Sequence, residues 1–231
     1  MKNFEELQRN ISYKFKSASL LMQAMTHRSY SFEKKAKHVD NQRLEFFGDA
    51  VLELIASEYL FEAYPECSEG DLTKMRSAIT RGEALYDLAQ KLDLDSYMYV
   101  GKGESRLKGK NQEKRVIDAF EALLGALYLD GGMEVAREFY FTVARQCWSD
   151  PYELMLQQNP KGSLQELTQE RFSKRPVYVT KDVKGDDHEP LFNVEIHMSG
   201  EVIARGQGRN RKSAEELAAR AAISFLMDKS K

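Results

Sequence analysis

The sequence predicts two folded parts: an all-α N-terminal domain over residues 1–148 and a small α+β module, ordered α-β-β-β-α, over residues 161–229. Three observations lead there. Through the first 148 residues, apolar side chains recur at spacings of three and four. Beyond residue 176 the period falls to two in three short runs, which are flanked by amphipathic segments. Between the two patterns, Asp150-Pro151 and Asn159-Pro160 disfavour helix in the residue before each proline, so 149–160 reads as a linker with at most a turn of helix.

Helical periodicity covers 17–29, 39–64, 68–92, 112–129 and 133–148. Pro65 closes the second stretch, Ser68-Glu-Gly-Asp71 caps the third, and Gly131-Gly132 stops the fourth. In the module, 163–172 is helical, and 177–183, 192–197 and 201–205 alternate as strands do. Met198-Ser-Gly-Glu201 reads as a tight hairpin turn, and alanine-rich 213–227 is a closing amphipathic helix.

A hydrophobic fraction of 42% supports a real core. The net charge of −2 is a poor fit to a uniformly basic coat for nucleic acid, but it allows local patches. Residues 160–231 hold 13 Lys and Arg against 11 Asp and Glu, whereas residues 1–159 hold 21 against 25. Cys67 and Cys147 stand 80 positions apart with no CxxC, as free thiols in a reducing compartment do. The N-terminus has no apolar core of a secretory signal, and no run is long enough to span a membrane. A cytoplasmic protein is therefore expected. His27, His38, His188 and His197 lack zinc-ligand spacing, and Gly101-Lys-Gly103 lacks the rest of a dinucleotide fingerprint.

Four acids break the apolar pattern. Of the fourteen residues Val116–Leu129, twelve are apolar, small or aromatic, so this helix is expected to be buried; yet it carries Asp118 and Glu121 on one face. In Asn41-Gln-Arg-Leu-Glu-Phe-Phe-Gly-Asp-Ala-Val-Leu52, Glu45 and Asp49 stand one turn apart beside the apolar stripe Leu44, Phe47 and Val51. A buried carboxylate needs a partner or a metal. Gly48 costs about 1 kcal/mol relative to alanine in a helix interior, so a close approach by another backbone or a bulky side chain is expected there. Two such helices can converge on one oxygen-lined site, which suits Mg²⁺ or Mn²⁺ better than zinc. Equally, Arg43, Arg76 or Arg81 can pair with these acids structurally. Glu53 reads as a solvated or structural acid.

These residues closely resemble the signature of the ribonuclease III family. Thr26-His-Arg-Ser-Tyr30, Glu69-Gly-Asp-Leu-Thr-Lys-Met-Arg76 and Asp118-Ala-Phe-Glu-Ala-Leu-Leu-Gly-Ala126 resemble its further motifs in the same order, and 161–229 resembles a double-stranded-RNA-binding domain. The resemblance implies an endonuclease domain of the compact bacterial type, homodimeric and Mg²⁺-dependent (with Mn²⁺ as a substitute). Such an enzyme cuts duplex RNA to 5′-phosphate products with short 3′ overhangs and processes ribosomal and other structured RNA precursors. It implies metal binding by Glu45, Asp49, Asp118 and Glu121, with Asp49 and Glu121 foremost in catalysis, and Phe46 packed into the partner subunit. The sequence departs from the family at Gln42, where a glutamate is usual.

A reader of A-form RNA needs polar groups for the shallow minor groove and cations for the phosphates. Gln165 and Gln169 at i, i+4 on the first helix of the module, His188 in the loop after the first strand, and Arg209, Arg211 and Lys212 at the start of the last helix are the candidates. The loop departs from the family in its acidity, with Asp186-Asp187 before His188 and Glu189 after it.

Overall fold

The computed structural model describes residues 2–34, 40–148, 150–184 and 190–228. His38 and His188 lie outside the described residues, as does the acidic loop around the latter. The chain divides into two compact units, Met1–Pro151 and Tyr152–Lys231.

The first unit is helical: α1 (Phe4–Asn10), α2 (Ala18–Ala24), α3 (Arg28–Glu33), α4 (Gln42–Ala63), α5 (Glu69–Thr80), α6 (Gly82–Lys91), α7 (Leu94–Tyr97), α8 (Lys110–Gly131) and α9 (Met133–Ala144). α8 is the axis. Its Val116, Ala119, Phe120, Leu123, Leu124 and Leu127 are all fully buried, and α2, α4, α6 and α9 pack around it. This is the outcome expected for a helix apolar on all sides.

Two of the expected helices are broken, each for a local reason. The 17–29 stretch opens at Met25–His27, whose backbone forms an isolated parallel bridge with Tyr99 instead: Tyr99 N–H donates to the Met25 carbonyl at 2.7 Å, and His27 N–H to the Tyr99 carbonyl at 2.9 Å. The 68–92 stretch divides at Arg81, which is extended (φ −139°, ψ 161°), and Gly82 restarts the helix at φ +56°, a region glycine enters without strain. Ser68 does cap α5, its side chain accepting from Asp71 N–H.

In the second unit, α11 (Pro160–Phe172) and α12 (Arg211–Asp228) flank an antiparallel sheet of β1 (Val177–Lys184), β2 (Leu191–Met198) and β3 (Glu201–Gly208), in the order β1-β2-β3. Ser199 and Gly200, both at positive φ, form the hairpin expected between β2 and β3. Gly206 and Gly208 let α12 lie directly on β3: a Cβ at Gly206 would stand 2.3 Å from the Ala218 nitrogen. The segment 149–160, expected as a linker, instead contains α10 (Pro151–Gln158). Its Leu156 is buried with Leu164, Ile223 and Leu226, so the helix contributes to the core of this unit. Pro151 and Pro160 sit at the first positions of α10 and α11, where a proline lacks no needed N–H. No helix among the described residues is long and apolar enough to cross a membrane.

Candidate functional site

α4 and α8 cross at two glycines. A Cβ at Gly48 would lie 1.8 Å from the Glu121 carbonyl oxygen, and one at Gly125 would lie 2.6 Å from the Leu44 carbonyl oxygen. The approach expected at Gly48 is thus made by the backbone of α8. Gly125, a second helix-interior glycine one turn beyond Glu121, carries the same signal and escaped the sequence reading. The entry to α4 is set by Asn41, whose N–H donates to the Thr26 carbonyl at 2.9 Å.

This crossing brings the acid pairs together. Glu45, Asp118 and Glu121 each offer a carboxylate oxygen within 4.8 Å of the others, and all three are partly buried. Asp49 is more exposed and stands outside that mutual distance. It is still near enough that its charge is the largest electrostatic influence on Glu121. Burial first, and then the charges of Asp49, Asp118 and Glu45, push Glu121 up to about 8. Burial and Asp118 also raise Glu45.

Two of the three arginines that could have paired with these acids are engaged elsewhere. Arg76 Nε lies 2.8 Å from Glu53 and Arg81 Nη2 3.4 Å from it, while Thr80 Oγ1 donates to the same carboxylate at 3.1 Å. Glu53 is therefore a structural acid tying α4 to α5. Among the described residues, Arg43 makes no ion pair with any of the four acids. The cation at the cluster is Lys114, which the sequence reading missed; its Nζ donates to both Asp118 oxygens, at 3.1 and 3.2 Å. Carboxylates crowded together with one lysine make an oxygen-only donor set of high negative charge, which fits a hard divalent cation.

Phe46 extends from α4 into solvent at 81% exposure, and Leu54 and Phe61 follow on the same face of the helix. Gln42, where the family usually has glutamate, is exposed at the first position of α4.

In the second unit, Gln165 and Gln169 are both exposed, one turn apart on α11. Asn210 caps α12 by accepting from Ser213 N–H at 2.8 Å, and Arg211 and Lys212 open the helix. The three cations differ in freedom. Arg211 donates to Glu215 at 2.8 Å, and Lys212 stands 3.9 Å from Glu216. Arg209 is exposed and makes no ion pair among the described residues. Lys161, also missed in the sequence reading, bonds to Glu215 from α11. Glu215 is thereby held below the usual carboxylate range against its own burial.

The family model described as Ribonuclease-III-like matches residues 17–145, and that of the double-stranded RNA binding motif matches 160–226. A curated relative named Ribonuclease 3, from Oleidesulfovibrio alaskensis, is 40% identical over 223 residues, covering 96% of this chain and 97% of its own. Another of that name, from Pseudothermotoga lettingae, is 40% identical over 220 residues, covering 94% and 92%. Among solved structures, a nuclease domain of ribonuclease III from Campylobacter jejuni matches with TM-score 0.60 and 34% identity, covering 64% of this chain and all of its own; it is described as showing structural flexibility in the region involved in dimer formation.

Proposed function

The chain belongs to the ribonuclease III family of double-stranded-RNA endoribonucleases, and on that premise we propose that it acts as a Mg²⁺-dependent homodimer that processes ribosomal and other structured RNA precursors. The products are 5′-phosphate ends with short 3′ overhangs. The observation that carries this reading is the convergence of Glu45, Asp118 and Glu121 across the glycine crossing of α4 and α8.

Glu45, Asp49, Asp118 and Glu121 hold the metal. Mn²⁺ substitutes for Mg²⁺, since the donors are all oxygen. A divalent ion bound there supplies charge stabilisation at the scissile phosphate and makes water a competent nucleophile near neutral pH. Glu121, raised by burial and by the neighbouring acids, would hold the ion as its carboxylate. Asp49, at the exposed margin of the cluster, would add a further carboxylate oxygen to the set that holds the ion. Phe46, on an apolar face open to solvent, inserts into the partner subunit. Gln165, Gln169 and His188 read the minor groove, and Arg209, Arg211 and Lys212 hold phosphates; the role of His188 rests on sequence alone.

The test is cleavage of a long RNA duplex by the purified full chain with Mg²⁺, with and without chelator. Chelator-sensitive fragments that a 5′-phosphate-dependent exonuclease degrades are expected. An intact duplex at saturating Mg²⁺ would leave a binding protein without this activity.

A further inference from the structure

We propose that Lys114 is a built-in competitor of the divalent ion: its ammonium holds Asp118 until the ion displaces it, which raises the metal concentration the site requires. The inference rests on the metal-binding reading above. Lys114 lies one turn before Asp118 on α8, and its Nζ spans both carboxylate oxygens at 3.1 and 3.2 Å. Its charge also bears on Glu45 and Glu121, the other two members of the converging set. Three arginines of the neighbouring elements are committed to other acids, Arg76 and Arg81 to Glu53 and Arg115 to Asp95, and among the described residues Lys114 alone forms an ion pair with a member of the converging set.

A protonated amine has three donors and no lone pair, so Lys114 cannot join the metal's ligand shell. An ion approaching Asp118 therefore meets occupied oxygens and a like charge. Either it evicts the ammonium or it binds beside it, and both weaken binding. Eviction is feasible because the Lys114 side chain is 73% exposed and has a four-carbon stem with water on its open side. An exposed i, i+4 pair of this kind is weak in itself. What gives it leverage is its position on a ligand.

The experiment is direct Mn²⁺ binding to the full chain without RNA, read by the EPR signal of free Mn²⁺ and by the rise in melting temperature on Mn²⁺ addition. Lys114→Met is expected to bind Mn²⁺ on the order of three- to tenfold more tightly than wild type and to show the larger Mn²⁺-induced rise. Lys114→Arg, which keeps the charge and can fork onto the carboxylate, is expected to bind no more tightly than wild type. Lys110→Met, one turn farther from the cluster, is expected to bind as wild type does. Equal or weaker binding by Lys114→Met overturns the proposal, and so does equal tightening by Lys110→Met, which would reduce the effect to net charge. Glu121→Gln separates the two levels: if wild type binds no Mn²⁺ that this variant weakens, the metal-binding reading falls and the proposal falls with it.

Discussion

The Cα of Gly48 faces the backbone of Glu121 so closely that a methyl group there would lie 1.8 Å from the Glu121 carbonyl oxygen. The residue that costs α4 helical stability is therefore the one that lets it reach α8 and bring Glu45 to Asp118 and Glu121. Gly48→Ala is expected to destabilise the protein by about 1–3 kcal/mol or more, since the atoms it meets, from Glu121 and Gly125, are backbone atoms that cannot rotate away. Gly125→Ala, 2.6 Å from the Leu44 carbonyl, is expected to act in the same direction. Urea midpoints with and without Mn²⁺ check both, and the loss should be accompanied by weaker metal binding.

Glu121→Gln is expected to lower cleavage by on the order of a hundredfold or more while leaving duplex affinity nearly unchanged. The same variant is expected to melt higher than wild type at pH 8 in chelator, because it removes a charge that burial and three neighbouring acids oppose. Paired assays of cleavage, gel-shift affinity and melting temperature read all three. A fall in duplex affinity parallel to the fall in cleavage would make Glu121 a structural residue.

The raised carboxylates set a pH dependence. Folding lifts Glu121 from 4.5 to about 8 and raises Glu45 as well, so the native state binds more protons than the unfolded chain between those limits. The metal-free protein is therefore expected to lose this contribution to stability as pH rises from about 4.5 through about 8. Metal binding should tighten over the same interval and release protons. Melting curves in chelator and calorimetry in two buffers of different ionisation enthalpy measure these effects. Metal affinity that is flat from pH 6 to pH 8 would contradict the assignment of Glu121 as a ligand.

Much of this site was legible in the sequence because it breaks rules that a core obeys. Asp118 and Glu121 interrupt an apolar helix, and Gly48 sits where alanine would be better. Each anomaly pointed to a neighbour, although not to which one. The competing partners were equally legible: Arg76 and Arg81 could have answered the acids, and only their actual geometry assigns them to Glu53. Asp49 shares a helix face with Glu45, yet it is exposed and stands outside the tight set of three. Non-local pairing escaped altogether. Nothing around Met25–His27 announces that Tyr99 will draw its backbone out of a helix, and α10 begins at a proline that looks the same at a helix start as in a linker. In the second unit the change of period from helix to strand was enough to read α11, the three strands and α12, but not α10.

The cations at the head of α12 should not be equivalent. Arg209 and Lys212 to Ala are each expected to weaken duplex binding and to reduce the slope of log affinity against log salt by about 1. Arg211→Ala should reduce it less, because Glu215 already holds that guanidinium at 2.8 Å. Affinity measured across a salt series distinguishes these cases, and identical slopes for all three variants would count against the difference in freedom seen here.

Phe46→Asp is expected to shift the protein from dimer to monomer in sedimentation, since Phe46 is 81% exposed on α4, and Leu54 and Phe61 farther along the same helix are exposed at 54% and 75%. Wild-type protein sedimenting as a monomer at micromolar concentration would remove Phe46 from any such contact.

Metal binding where α4 and α8 converge is most directly tested by anomalous diffraction from crystals of the full chain grown with Mn²⁺. The expected result is a strong peak within ligand distance of Glu45, Asp118 and Glu121, lost in Glu121→Gln. A saturating Mn²⁺ concentration with no peak between these helices, or a peak held by other residues, would contradict it.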